Sequence, residues 1–289
     1  MIKVKAYAKL NLNLHILPDL KYKGETGYYP VNFINSELDL HDDLYFENQK
    51  GKITFSCSNN KALSNKDNFV YRAAFLLKKE IGDSQLGVKI VLKKQIPVKA
   101  GLGGGSSDAA ATIKTLLKLW KVNILPTQMA KIINPLGSDV FYFMQGGLCE
   151  VLGRGECVSK LTNPLPKLWL ILITPSISKP STSWMYQNIF IRNIGKHLNK
   201  FEKLKQNIIN KDKKEIFNSL HNDFEDFINK QYPDLKNIKK DLSRSGSIKE
   251  LVAGSGLTVV GFYLSKQKSL TAMKNLQMKY KNIIWTYTK

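Results

Sequence analysis

Residues 2–16 alternate almost without a break: Ile2, Val4, Ala6, Ala8, Leu10, Leu12, Leu14 and Ile16 fall on one side, and Lys3, Lys5, Tyr7, Lys9, Asn11, Asn13 and His15 on the other. A period of two predicts a strand with one polar face. Residues 18–30, with Gly24, Gly27 and the pair Tyr28–Tyr29, read as a loop, and residues 33–40 and 43–55 as further strands. Phe69, Ala73, Leu76, Leu77 and Ile81 make an apolar stripe, which predicts a helix over 68–81. A strand over 88–98 ends near Pro97. A strong helix comes next over 107–120, with Ala110, Ile113, Leu116, Leu117 and Trp120 on its apolar side. A short helix over 126–133 stops at Asn134–Pro135. The run LWLILIT at 168–174, bounded by Pro166 and Pro175, predicts a buried strand. Residues 200–240 are lysine-rich and helical in pattern, with breaks at asparagines. A second glycine loop at 253–256 leads into a strand over 258–264, and a helix over 273–280 and a strand over 283–287 close the chain. This order predicts an α+β protein of two domains, residues 1–160 and a smaller 161–289, joined near 163–166.

Composition narrows the class. With 289 residues, 43% of them hydrophobic, the chain is long enough for a sizeable core. No run is apolar enough to span a bilayer, and the first residues lack a signal-peptide pattern, so the expected location is cytoplasmic, with no membrane partner. Cys57, Cys149 and Cys157 form no CxxC pair and read as reduced thiols; with 4 histidines, a zinc constellation is not expected. The formal charge is +21, but arginine is limited to Arg72, Arg154, Arg192 and Arg244. Base and phosphate readers favour the arginine fork, so the lysine excess reads as a compositional bias, and no specific nucleic-acid partner is expected.

The chemistry centres on GLGGGSSDAAA at 101–111, which has four glycines in five positions before a helical pattern. Such a loop lays backbone N–H groups against an anion, with the helix start adding its positive end. It lacks the lysine of a P-loop and the spacing of a dinucleotide fingerprint. Two readings stand: a phosphate cradle closed by Ser106 and Ser107, which cap the helix or touch a phosphate or its Mg2+, or a tight strand-to-helix turn with no ligand. Gly137–Ser138–Asp139 introduces the apolar segment VFYF; Asp139 is either an acceptor for a hydroxyl proton or a helix N-cap. Lys9, beside Asn11 on the polar face of the first strand, is either a solvated lysine or a cation that keeps such a carboxylate ionised.

Together these segments resemble the GHMP kinase superfamily. AYAKLNLNLHI at 6–16 resembles its first motif, and IPVKAGLGGGSSDAAA at 96–111 its ATP-phosphate loop. Residues 137–140 resemble its catalytic-aspartate segment, and Gly146–Gly147 with GRGE at 153–156 the stretch after that segment. Residues 175–186, 222–225 and 253–256 resemble its second-domain motifs. The resemblance implies a two-domain fold: a mixed α/β ATP-binding N-terminal domain, a smaller ferredoxin-like C-terminal domain, and an active site in the cleft between them. It implies ATP and Mg2+ as cofactors, Asp139 as general base and Lys9 as its partner. Pro97, Gly101, Leu102, Gly103, Gly104, Gly105, Ser106 and Ser107 would line the ATP phosphates, with Ser106 the candidate metal contact, and residues 65–68 would lie near adenine. Asn11, Tyr28, Tyr29, Asp139, Tyr186, Gly254, Ser255 and Gly256 would bind a small-molecule acceptor carrying a cytidine diphosphate moiety. Tyr28 and Tyr186 would sandwich the base. A mevalonate-like or homoserine-like acceptor, or a non-catalytic nucleotide or nucleic-acid binding role, is the alternative; the enzyme would be a monomer or homodimer. The chain departs from the pattern at Tyr29 (histidine in the family), Thr26 (aspartate), Phe141 (proline), Ala253 (serine) and Leu257 (a small residue).

Overall fold

The computed structural model describes all 289 residues, Met1–Lys289. They form two compact units, neither contiguous in sequence: Met1–Ala8, Leu40–Val98 and Gly103–Gly146 make the first, and Lys9–Asp39, Lys99–Leu102 and Gly147–Lys289 the second. In chain order the elements are β1 (Ile2–Ile16), α1 (Leu20–Thr26), β2 (Val31–Asn48), β3 (Ile53–Cys57), α2 (Phe69–Ile81), β4 (Val88–Lys93), α3 (Gly104–Trp120), α4 (Pro126–Ile133), α5 (Asp139–Gln145), β5 (Cys149–Leu152) and β6 (Cys157–Lys160). They continue as β7 (Trp169–Ile173), α6 (Thr182–Asn188), α7 (Asn199–Ile209), α8 (Lys213–Ser219), β8 (His221–Asn222), α9 (Glu225–Gln231), α10 (Leu235–Arg244), β9 (Lys249–Val252), β10 (Val259–Tyr263), α11 (Lys266–Leu276) and β11 (Ile283–Tyr287). No helix is long and apolar enough to cross a membrane.

In the first unit, the second half of β2 runs antiparallel to β4, which pairs in parallel with β3. Leu44, Phe46, Ile90 and Leu92 from this sheet are buried, as are Val70, Ala73 and Leu77 of α2. Helix α3 packs between α2 and α5. Its residues 107–113 are all buried, and the small side chains of Ala109, Ala110 and Ala111 let both neighbours approach. A charged knot ties this helix to the sheet. Lys94 Nζ donates to Asp42 Oδ2 at 2.5 Å and to Asp108 Oδ2 at 2.8 Å, and Asp42 also accepts from the backbone N–H groups of Gln95 and Ile96. Burial, with Asp42 close by, raises the Asp108 carboxyl well above the usual carboxylate range despite Lys94. Burial pulls Lys94 down, but the two carboxylates outweigh it and its pKa is raised.

In the second unit, the second half of β1 pairs in parallel with β8, and the first half of β2 pairs antiparallel with β5, which pairs with β6. A separate sheet of order β11-β7-β10-β9 is antiparallel throughout, with α10 and α11 packed on it. Taking α10 as the crossing helix, its sequence is β-α-β-β-α-β with spatial order 4-1-3-2, the ferredoxin-like arrangement.

Several boundaries move. Strand β1 is continuous, and its polar face is buried from Lys9 onward: Lys9 is 5% exposed, Asn11 2%, Asn13 and His15 0%. The reading of Lys9 as a solvated edge residue therefore fails: β8 pairs along β1 at Asn13 and Leu14, and Gly254 of the second glycine loop stands against Asn11 and Lys9. The loop at 18–30 contains α1, which is almost wholly exposed and so shows no core-facing stripe. Strand β2 runs unbroken to Asn48, and β4 stops at Lys93. Helix α3 starts at Gly104, inside the glycine run, and α11 lies at 266–276. Cys57 and Cys149 are buried free thiols and Cys157 an exposed one; burial pushes Cys149 up to about 11, which keeps it protonated and unreactive.

Candidate active site

Three residues between β4 and α3 have positive φ values, Lys99 (58°), Gly101 (84°) and Gly103 (69°), so the chain coils before the helix begins. Gly103 is the N-cap of α3 and no side chain caps it, so the first-turn N–H groups of Gly104, Gly105 and Ser106 lack side-chain acceptors. Ser106 and Ser107 lie within the first two turns instead of capping them; Ser107 is buried and Ser106 half-buried. The glycines also have packing reasons. A Cβ on Gly104 would stand 2.9 Å from Ile96 Cγ2, and one on Gly105 3.0 Å from the Phe69 ring. Pro97 is half-buried just upstream.

The two glycine loops mesh backbone to backbone. A Cβ on Gly101 would fall 2.0 Å from the Ala253 carbonyl oxygen, and one on Gly256 2.4 Å from that of Ala100. Leu102, almost fully buried, accepts at its carbonyl from the Lys9 N–H at 2.9 Å. Gly254, at φ +55°, has room for no side chain: a Cβ would meet Asn11 Oδ1 at 2.9 Å and Lys9 Nζ at 3.7 Å. Lys9 Nζ donates to Asn11 Oδ1 at 2.7 Å, and Asn11 Nδ2 to Asn35 Oδ1 at 2.6 Å. One compact unit thus gathers Lys9, Asn11, Gly101, Leu102 and Gly254 to Gly256. The ammonium thus meets the Asn11 amide beside the backbone of both glycine loops.

Three polar residues here were given no individual role by the sequence, although Lys179 and Asn222 lie in segments that resemble second-domain motifs. Asn35 orients Asn11. Asn222 fixes the second glycine loop by donating to the carbonyls of Val252 (2.8 Å) and Gly254 (2.7 Å), while its own Oδ1 accepts from Phe224 N–H. Lys179 is 7% exposed and donates to Ser255 Oγ at 2.7 Å and Thr182 Oγ1 at 3.3 Å. Only a buried lysine at a loop without carboxylates would have flagged it, and burial is not legible in PSISKPST.

The other predicted residues divide. Gly103 to Ser107 and Asp139 belong to the first unit. Asp139 is half-buried and is the first residue of α5, not its N-cap, which is Ser138. Lys114 Nζ donates to the Phe143 carbonyl at 2.8 Å, tying α5 to α3. Asn65 and Asn68 serve local turns: Asn65 Oδ1 accepts from the N–H groups of Asp67 and Asn68, and Asn68 caps α2. In the second unit Tyr28 is 59% exposed, whereas Tyr29 is buried. Lys23 Nζ lies 4.1 Å from the Tyr29 ring centre and donates to its hydroxyl at 3.1 Å. Tyr186 is half-buried and stands edge-on to Phe224, centroids 4.9 Å apart. Leu257 and Ala253 are buried, so the leucine fills the core beneath the loop and does not crowd its open side. The Ser106 hydroxyl is a hard oxygen donor of the kind Mg2+ takes.

Comparisons with known proteins give the class. Residues 68–147 match the family model for the GHMP kinases N terminal domain. A crystal structure of 4-(cytidine 5'-diphospho)-2C-methyl-D-erythritol kinase superimposes over 100% of both chains with a TM-score of 0.81 at 26% identity. The L. major mevalonate kinase in complex with R-mevalonate shares the fold, matching 100% of this chain and 96% of its own with a TM-score of 0.75 at 14% identity. The fold is that of the GHMP kinases, ATP-dependent kinases of small molecules. Curated relatives narrow it further. The 4-diphosphocytidyl-2-C-methyl-D-erythritol kinase of Listeria monocytogenes serotype 4b is 38% identical over 93% of this chain and 88% of its own, and that of Bacillus pumilus 38% over 91% and 89%. The chain belongs to the 4-diphosphocytidyl-2-C-methyl-D-erythritol kinase family.

Proposed function

We propose that this kinase transfers the γ-phosphoryl group of ATP to the 2-hydroxyl of 4-diphosphocytidyl-2-C-methyl-D-erythritol, giving ADP and the 2-phosphate, in the non-mevalonate route to isoprenoid precursors. The observation that carries the reading is the 38% identity to curated enzymes of this name across 93% of the chain. The meshed glycine loops beside a buried lysine supply the chemistry such a transfer needs.

Asp139 accepts the proton of the attacking hydroxyl as it moves in line on the γ-phosphorus. Lys9 offsets the charge spreading over the transferring group. Asn11 orients Lys9 and the hydroxyl. Pro97 and Gly101 to Ser107 cradle the ATP phosphates with N–H groups at the start of α3. Ser106 would help to hold Mg2+, which when bound would neutralise phosphate charge. Gly254, Ser255 and Gly256 approach the acceptor's diphosphate, while Tyr28, Tyr29 and Tyr186 bind the cytosine end, an aromatic platform suited to a planar heterocycle. Residues 1–160 form the ATP-binding domain and also supply Asn11, Tyr28, Tyr29 and Asp139 to the acceptor, and 161–289 form the second domain.

The test is a panel assay with ATP and three acceptors: the cytidyl-erythritol, mevalonate and homoserine. Phosphorylation of the first alone supports the reading. Phosphorylation of mevalonate or homoserine alone overturns it.

A further inference from the structure

Three of the chain's 4 histidines converge in the second unit, without a cysteine among them. His15 ends the buried polar row of β1, is 0% exposed, and neither of its ring nitrogens has a hydrogen-bond partner. Buried polar atoms are nearly always satisfied, and a ring with both nitrogens orphaned calls for an explanation. His221, on β8, stacks on it with centroids 4.9 Å apart and 19° between planes. Asp223 comes two residues later: its Oδ1 meets His221 Nε2 at 2.7 Å, while its Oδ2 accepts from the backbone of Ile16 (2.7 Å) and Gly195 (3.2 Å). One donor atom each from His15, His221 and Asp223 lie within 4.8 Å of one another.

We propose that His15, His221 and Asp223 bind one divalent transition-metal ion of the zinc type. Two imidazoles and one carboxylate are the donor set that Zn2+ takes, and an unsuitable one for Mg2+, which keeps to oxygen. The site is therefore distinct from that of the cation accompanying ATP. Metal–nitrogen bonds are about 2.0–2.1 Å, so the donors close up from their present spacing by rotation of the two rings. Asp223 is pre-oriented by its two backbone donors, as a ligand carboxylate should be. His197 stands edge-on to His221 at 4.8 Å and is exposed, and the His221 side chain is 16% exposed, which marks the way in and a fourth donor within reach. The ion would pin the end of β1 to β8. It would also steady Asn222, whose amide holds the second glycine loop. The inference does not depend on which acceptor the enzyme phosphorylates.

The experiment uses the full chain stripped with EDTA. Zn2+ is titrated calorimetrically and Co2+ by visible absorption, with the thermal midpoint monitored in parallel. The expected result is one equivalent bound per chain, a raised midpoint, the Co2+ bands of a four- or five-coordinate nitrogen–oxygen site, and no response to Mg2+ at this site. His15→Leu, which keeps much of the ring's volume in this buried position, is expected to fold and to lose at least tenfold in Zn2+ affinity. Absence of a saturable 1:1 step overturns the proposal, as does undiminished affinity in His15→Leu; His15 is then a core residue only. Should that variant fail to fold, zinc-edge X-ray absorption on the wild type decides: two imidazole ligands are expected, and fewer than two contradict the site.

Discussion

The two ends of the proposed substrate path are built from different material. At the phosphate end, the glycine loops touch through main-chain atoms, with no room for a methyl group at Gly101, Gly254 or Gly256, and two lysine ammonium groups, Lys9 and Lys179, are buried beside them. At the acceptor end, Tyr28 projects into solvent, Tyr186 is half-buried, and Tyr29 is held by a lysine from an exposed helix. Backbone-to-backbone contact tolerates almost no change of residue type, whereas an exposed aromatic tolerates much. Four of the five departures of this chain respect that division; Phe141, two residues after Asp139, lies outside it. Tyr29 and Thr26 sit at the acceptor end, and Leu257 and Ala253 are absorbed into the core behind the second loop.

The comparison can be broken most sharply at Gly101. Alanine there meets the Ala253 carbonyl and adopts a positive φ, so strain and overpacking add: a loss of about 2–5 kcal/mol is expected. Chemical denaturation measures it, and a wild-type midpoint would show that the loops do not mesh. Lys9→Met keeps the buried stem and removes the charge. Phosphoryl transfer is expected to fall roughly 10²-fold or more, with a smaller change in KM, as for loss of a group acting mainly in the transition state. An effect confined to KM would move Lys9 from transition-state stabilisation to ground-state binding.

A third prediction probes the buried row of β1 by pH. Burial, then the neighbouring His221, lowers His15 to about 4; His197 and Lys200 act in the same direction and Asp223 opposes. Unfolded, the ring titrates near 6.5, so below that pH the unfolded state binds the additional proton. The metal-free protein should hold this stability above pH 6.5 and lose up to about 3 kcal/mol of it as pH falls toward 4. His15→Leu should flatten that part of the stability profile; an unchanged slope would remove His15 as its source. The smallest effect is expected at the exposed end. Tyr28→Ala should raise KM for the cytidyl acceptor about tenfold, within the range of one base-stacking contact, with kcat and thermal midpoint little changed. A fall in stability comparable to that of Gly101→Ala would erase the distinction between the two ends.

Most elements were legible because their patterns are local. The stripe from Phe69 to Ile81 gave α2 nearly to the residue, and residues 283–287 gave β11. The glycine run stood out from residue types and spacing, whereas Lys9 and Asp139 were ambiguous until the family resemblance joined them to it. The features that escaped depended on partners distant in sequence. Two-residue β8 carries no periodic signal, yet it pairs with β1 at Asn13 and Leu14, so that strand is not open along this edge. Helix α1 has no buried residue and hence no stripe to read. The Lys94–Asp42–Asp108 knot and the His15–His221–Asp223 cluster join segments separated by up to about two hundred positions, so neither spacing nor the count of histidines could show them.

The central claim is phosphoryl transfer with Asp139 as the proton acceptor, and single-turnover kinetics of Asp139→Asn test it most directly. With ATP and the cytidyl-erythritol, ATP affinity should be largely unchanged and the transfer step slower by roughly 10²-fold or more. Transfer at a near-normal rate would contradict the account.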